Sequence, residues 1–444
     1  MDFSDLLLGP AIFIIVLGVA FLIRSKVTNP LTRRYFIPAL LFKILGAIAL
    51  GLIYQFYYEG GDTLNYYQGA SVIFEAFLNS PAKAFDLIFA NGKHQPDTFQ
   101  YSSQIIYFKD LHSYFVVRIA ALFSFITLNS YSGIAILFAT FSFSGLWAMY
   151  SVFHKLYPRL HLAFAIAIFF FPSVFFWGSG ILKDTITLGA LGWAVYGLAQ
   201  VFIFRKKVVL SALVTILMLW VIYQVKIYIL LCFLPAAILW IFFTYYKNIS
   251  IPAVRIVSFP VVAITIALLS YFAVKKVGED NRRYNLDRIT QTAESTARWL
   301  TYVSEREGGS VYKLGDYDYS VQGIIRKMPK AIWVTLFRPY PWESYNIVML
   351  LSSLESLVML ILTLGIVIKS GFIRVIKNIT TNPFLIFCIT FAITFAFAVG
   401  ISTYNFGSLV RYKIPMMPFY LSALFIIRYH VKDHQFKRSE KMLT

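Results

Sequence analysis

Cysteine is almost missing from this chain, and acid is scarce. The two cysteines among 444 residues, Cys232 and Cys388, both sit inside apolar runs, so neither a disulfide framework nor a thiolate metal site is indicated. Aspartate and glutamate number 21 against 40 lysines and arginines, and charges of both signs make up 14% of the chain, where a soluble domain carries about a quarter. That deficit excludes an ordinary soluble protein. The six histidines, His94, His112, His154, His161, His430 and His434, lack ligand spacing, so no metal site is expected. No phosphate-cradling glycine loop or nucleophile elbow occurs, which argues against a cytoplasmic nucleotide-driven enzyme. The first apolar run follows Asp2 and Asp5 with no basic n-region and no small-residue cleavage pattern. It is expected to be a retained helix with its N-terminus outside.

What the chain has instead is hydrocarbon. Hydrophobic residues make up 59% of it and mean hydropathy is +0.69. Apolar runs long enough to cross roughly 30 Å as helices alternate with short polar connections, without the alternating polarity of barrel strands. The expected fold is an all-α integral membrane protein, a single polytopic domain over 1–444. Its formal charge of +19 reads as cytoplasmic-loop lysine and arginine, and nucleic acid is not an expected partner.

The positive-inside rule then orders the spans. Residues 6–23 run in to Arg24, Lys26, Arg33 and Arg34, and 35–54 return outward. Residues 55–130 form an extracytoplasmic loop with interfacial helices. Within it 114–129 is apolar but short, and counting it as a crossing would put Arg205, Lys206 and Lys207 outside, so it is expected to lie against the bundle. Further spans are expected over 131–153, 162–177, 185–204, 208–223, 228–246, 256–273, 345–368, 383–401 and 412–427. The total is about eleven, with the C-terminus inside. Residues 275–345 form a second extracytoplasmic segment, with a small helix expected over 285–307.

This order places the least ordinary charges at one membrane face: Asp62, Arg118, Lys183, Asp184, Lys226, Arg338, Arg411 and Lys413. Charges beside apolar sequence are expensive unless paired or used. Asp62, after Gly60 and Gly61, is either a turn aspartate capping the next helix or a carboxylate that takes a proton from an acceptor hydroxyl or helps hold a metal ion. Lys183 and Asp184 are either an ion pair opening a span or a phosphate-binding lysine beside a second acid. Arg411 and Lys413 either snorkel or clamp a phosphate or diphosphate. Lys43, Glu355 and Lys226 carry no assigned role. Most of the 43 phenylalanines and 29 tyrosines are core or interfacial belt, though Trp177, Trp333, Tyr340 and Trp342 could stack on a sugar.

Three short stretches carry a resemblance: Gly61-Asp62 followed by Tyr66-Tyr67, Val117-Arg118-Ile119 opening a hydrophobic pair of segments, and the turn at Lys183-Asp184. Together they resemble the C-type (GT-C) membrane glycosyltransferases, which include protein O-mannosyltransferases and the aminoarabinose transferases of lipid A. The stretches 337–343 and 411–415 also look like bacterial members. The resemblance implies transfer of a sugar from a polyprenyl-phosphate carrier to a hydroxyl of a glycan, lipid or protein, at the outer face of a bacterial cytoplasmic membrane. It implies Asp62 as the catalytic base and Asp184 as a second acid that positions it or the acceptor, with Arg118, Lys183, Arg338, Arg411, Lys413, Tyr66 and Tyr67 binding substrate. The chain departs from the pattern in two ways: two spans precede the acidic loop where many members have one, and Asp62 follows glycine where many carry a paired acid. No cofactor is then required and a divalent cation stays possible. A polymerase or ligase using polyprenyl-diphosphate oligosaccharide, or a flippase for lipid-linked glycans, stays open beside this reading.

Overall fold

A computed structural model describes residues 3–246, 248–280, 302, 312 and 321–443. Hydrocarbon offers no partner to a backbone amide, so an apolar run that enters it must close its own hydrogen bonds as a helix. The described residues obey this, forming helices and no strand. Among the described residues eight helices are long and apolar enough to cross a membrane: Asp5–Val27, Arg33–Phe56, Tyr131–Leu156, Lys183–Ile203, Val208–Tyr246, Ile347–Ser370, Pro383–Ser402 and Phe406–Val431. The chain is a multi-pass membrane protein.

About eleven were expected, and two of the differences have a local cause. The spans expected over 208–223 and 228–246 form one 39-residue helix, interrupted at Lys226, whose φ of −149° and ψ of 81° are not helical. At 1.5 Å per residue such a helix runs about 58 Å, close to twice the hydrocarbon thickness, so the break divides it into two lengths of crossing size. The span expected over 162–177 is not continuous. A π-helical turn at Ile166–Phe170 leads into extended Phe171, because Pro172 disfavours the helical conformation in the residue before it. The helix Pro252–Asp280 covers the span expected over 256–273, and its stretch 252–268 is apolar. Leu111–Thr127, at 17 residues, is short, ending in left-handed Leu128. The helix expected over 285–307 lies outside the described residues apart from Tyr302. Within the segment 275–345, Met328–Phe337 is a helix with Ala331, Val334, Leu336 and Phe337 buried.

The chain divides into two compact units, Met1–Lys226 and Ile227–Thr444. In the first, Tyr131–Leu156 crosses Lys183–Leu198 at a glycine contact. A Cβ on Gly192 would stand 2.1 Å from the Gly145 carbonyl oxygen, and one on Gly145 would stand 1.9 Å from that of Gly189. Only hydrogen fits there, and it lets the two backbones touch. Asp5 fastens the first helix to this pair, its carboxylate accepting from Ser130 Oγ at 2.6 Å and the Ser132 amide at 3.1 Å. In the second unit, Pro383–Ser402 packs on Met328–Phe337, with Thr335 Oγ1 donating to the Ala396 carbonyl at 2.8 Å. Phe387 stacks on Trp240 at 4.7 Å, and Phe391 meets Phe419 edge-on, also at 4.7 Å.

Candidate functional site

Asp62 reaches its position through backbone that few residues adopt. Glu59, Gly60 and Gly61 all have positive φ, and a Cβ on Gly61 (φ +114°) would meet the Tyr54 ring at 2.8 Å. Gly61 thus serves as the N-cap of helix Asp62–Asn79, and Asp62 occupies its first turn, where the helix dipole favours a negative charge. Its carboxylate is half-buried, and Oδ1 accepts from the Tyr107 hydroxyl at 2.8 Å. Tyr66, buried one turn on, lies against the Tyr107 ring at 4.8 Å. Tyr67 instead donates to the Asn129 carbonyl at 2.8 Å, and Thr63 meets the Tyr131 hydroxyl at 2.9 Å. Asp62 therefore meets one phenol, Tyr107, which Tyr66 backs.

Lys183 opens the helix Lys183–Leu198 and is mostly covered, its side chain 19% exposed. Its ammonium lies 3.5 Å from Asp110, and Asp62 and Asp184 also act on it electrostatically. Asp110 caps the helix Leu111–Thr127 through the His112 amide and is bonded by the Ser113 hydroxyl. Burial alone would raise the Asp110 carboxyl; Lys183, Ser113 and His112 outweigh it and hold it below its ordinary 3.8. Asp184 has different company. It is fully buried and paired with Lys226 at 2.5 Å, at the point where the Val208–Tyr246 helix breaks. Within the first unit Lys183 is paired with Asp110 and feels the charge of Asp62, whereas Asp184 is paired with its own cation, Lys226.

The turn that delivers Lys183 is built on Lys43. This lysine, fully buried, donates to the carbonyls of Val174 at 2.9 Å and Gly178 at 2.6 Å, and Ser142 Oγ donates to the latter at 2.9 Å. A cation at the exposed carbonyls of a helix end is favourable, and here it closes the short helix Pro172–Phe176. The residues 178–182, which lead into Lys183, are all buried. Arg118 has a comparable place: Nη2 donates to the Ala90 carbonyl beyond helix Pro81–Phe89, and its guanidinium lies over the Tyr114 ring at 4.8 Å.

The second unit holds the other expected binders. Lys413 is fully buried, donating to Ser356 Oγ at 2.8 Å and the Arg338 carbonyl at 3.2 Å, with Glu355 as its charge partner. Arg338 forms a two-pronged pair with Glu343 and lies over the Phe406 ring at 4.9 Å. Glu343 also accepts from the Tyr340 amide at 2.8 Å, and Trp333 donates to the Tyr340 hydroxyl at 2.9 Å. Arg411 is half-buried in the last turn of Phe406–Tyr412.

Two residues of the Asp62 cluster were not among the expected ones. Asp110 carried a readable signal, an aspartate immediately before an apolar helical run. Tyr107 carried none, since its 45-residue separation from Asp62 is closed only by folding. Among the described residues no group of three or more His, Cys, Asp or Glu is placed to hold a metal ion. No known protein family, curated protein or solved structure matches the chain.

Proposed function

We propose that this protein is a membrane glycosyltransferase of the GT-C kind, moving a sugar from a polyprenyl-phosphate carrier to an acceptor hydroxyl. The observation that carries the reading is a mostly covered ammonium, Lys183, paired with Asp110 and within electrostatic reach of the half-buried carboxylate of Asp62, which a tyrosine holds. Asp62 takes the acceptor proton as the acceptor oxygen bonds to the anomeric carbon. The bond from that carbon to the phosphate oxygen breaks, and polyprenyl phosphate leaves with the bonding electrons. Lys183 stabilises the charge gathering on that phosphate, where a preorganised cation counts most. Tyr107 holds the Asp62 carboxylate, and Tyr66 packs behind it. Asp184 serves as the buried partner of Lys226, so its role is to position Lys183 rather than to react. Arg118 holds the Ala90 carbonyl and shapes the same loop. The acceptor is a glycan, lipid or protein at the outer face of a bacterial cytoplasmic membrane.

The test is turnover of polyprenyl-phosphate sugars by full-length protein in proteoliposomes, read as released polyprenyl phosphate. Asp62→Asn is expected to lower turnover at least a hundredfold while the protein stays monodisperse and binds the carrier lipid. Normal turnover in that variant removes the reading.

One observation favours a second reading, movement of a lipid-linked glycan across the membrane. Lys413, Glu355 and Ser356 form a buried polar group inside membrane-length helices, and such groups mark pathways as well as reactive sites. Translocation of labelled carrier lipid with no sugar released would select it.

A further inference from the structure

The first unit contains a cavity of about 620 Å³ far from the Asp62 cluster. It opens between the helices Phe3–Val27, Arg33–Phe56, Tyr131–Leu156 and Lys183–Leu198. Lys183 starts the last of these, and Lys207 lies beyond its far end, about 30 Å away along 21 residues of helix. The wall is apolar, with Val16, Leu40, Phe143, Trp147 and Trp193 among its members. At the Lys207 end the lining changes to Lys26 and Lys155, all three lysines being exposed. The volume falls in the range of about 300–1,000 Å³ typical of built small-molecule sites.

A second, more polar recess of about 400 Å³ adjoins the lysine end, sharing Val27, Trp147, Ser151 and Lys155 with the first. His154 lines it. Asn29 Oδ1 accepts from the Thr32 amide at 2.9 Å, which turns its Nδ2 toward His154 Nε2 at 3.2 Å. Nε2 is therefore the acceptor and Nδ1 carries the proton. Nδ1 is buried and has no hydrogen-bond partner among the described residues. An unsatisfied buried donor in the recess that Lys155 also lines, adjoining the end of the cavity where Lys26 and Lys207 lie, suits an anion.

The geometry points to a seat for an anionic glycerophospholipid, with one acyl chain along the Trp147–Trp193 wall and the phosphate at Lys26, Lys155 and Lys207. A lysine-rich membrane end selects acidic headgroups by charge, and the groove supplies the apolar contact that a free phosphate would not use. The seat is independent of the glycosyl-transfer reading, which concerns the other end of these helices.

Trp147 and Trp193 make the seat visible to fluorescence quenching. Full-length protein in phosphatidylcholine nanodiscs would receive one-tenth of chain-brominated phosphatidylglycerol or of chain-brominated phosphatidylcholine. The Trp147→Phe/Trp193→Phe variant defines the groove component. Brominated phosphatidylglycerol is expected to occupy the groove several-fold more strongly than brominated phosphatidylcholine. Lys26→Gln/Lys155→Gln/Lys207→Gln should bring that ratio to one, and Val19→Phe, at a groove residue that is half exposed, should weaken quenching by both lipids. Should the triple variant not fold, the three single variants are expected to lower the ratio in part. Equal quenching by the two lipids in the unmodified protein overturns the proposal, as does a ratio the lysine variants leave intact. Displacement of the brominated lipid by inorganic phosphate, beyond that by chloride of equal ionic strength, would also overturn it in favour of a free-anion site.

Discussion

At the scale of single residues, buried cations here serve carbonyls and carboxylates of the chain itself. Lys43 ends on two backbone oxygens, Lys226 on Asp184, Lys413 on Ser356 and the Arg338 carbonyl. A buried pair broken on one side leaves an uncompensated charge, which costs more than the pair contributes when whole. Lys226→Met is therefore expected to destabilise the protein by about 3–5 kcal/mol, and Lys226→Met/Asp184→Leu to regain most of it. Thermal unfolding in detergent reads both variants. A Lys226→Met protein as stable as the unmodified one would show that the Asp184 charge is compensated elsewhere. The sequence marked Lys226 and Asp184 as unusual but could not pair them, since 42 residues separate them and their contact depends on where a helix breaks.

Elements in this protein are held apart or together by what their glycines permit. Gly145, Gly189 and Gly192 make one helix crossing possible, and there the helical disadvantage of glycine is offset by packing that no larger residue allows. Gly18, by contrast, has nothing within 4 Å of the place a Cβ would take and contributes only backbone freedom. Gly192→Val should force the two helices apart and sharply lower the monodisperse yield, while Gly18→Ala should leave fold and yield intact and stabilise its helix by about 0.5–1 kcal/mol. Size-exclusion profiles and melting curves of the two variants, side by side, check the contrast. Equal behaviour of the pair would mean that the crossing is not what holds these elements. The elements themselves were largely legible, because an apolar run of crossing length has few alternatives to a helix. Their interruptions were less so: Pro172 announces the break before it, but the non-helical Lys226 has neither proline nor glycine beside it.

For the whole molecule, sidedness links the two ends of the first unit to the two compartments. In the orientation proposed from the positive-inside rule, Lys26, Lys155 and Lys207 lie inside and Asp62 lies outside. Both native cysteines are buried, so single introduced cysteines report cleanly. A membrane-impermeant maleimide is expected to label Asp97→Cys in intact cells and Lys207→Cys only after permeabilisation. The reverse pattern would place the Asp62 cluster on the cytoplasmic side and end the proposal of an outer-face transferase.

The sequence by itself determined that this is a helical multi-pass membrane protein, because the hydrophobic effect and the absence of water partners act on composition and run length before any contact forms. It also singled out Asp62 and Lys183 as charges out of place. Only the tertiary structure decided which charges meet. It set Lys183 among Asp62, Asp110 and Asp184, closed Asp184 onto Lys226, and turned Lys43 inward to hold the turn before Lys183. A charge in low dielectric is governed by neighbours within a few ångströms, and those neighbours come from chain positions tens of residues away.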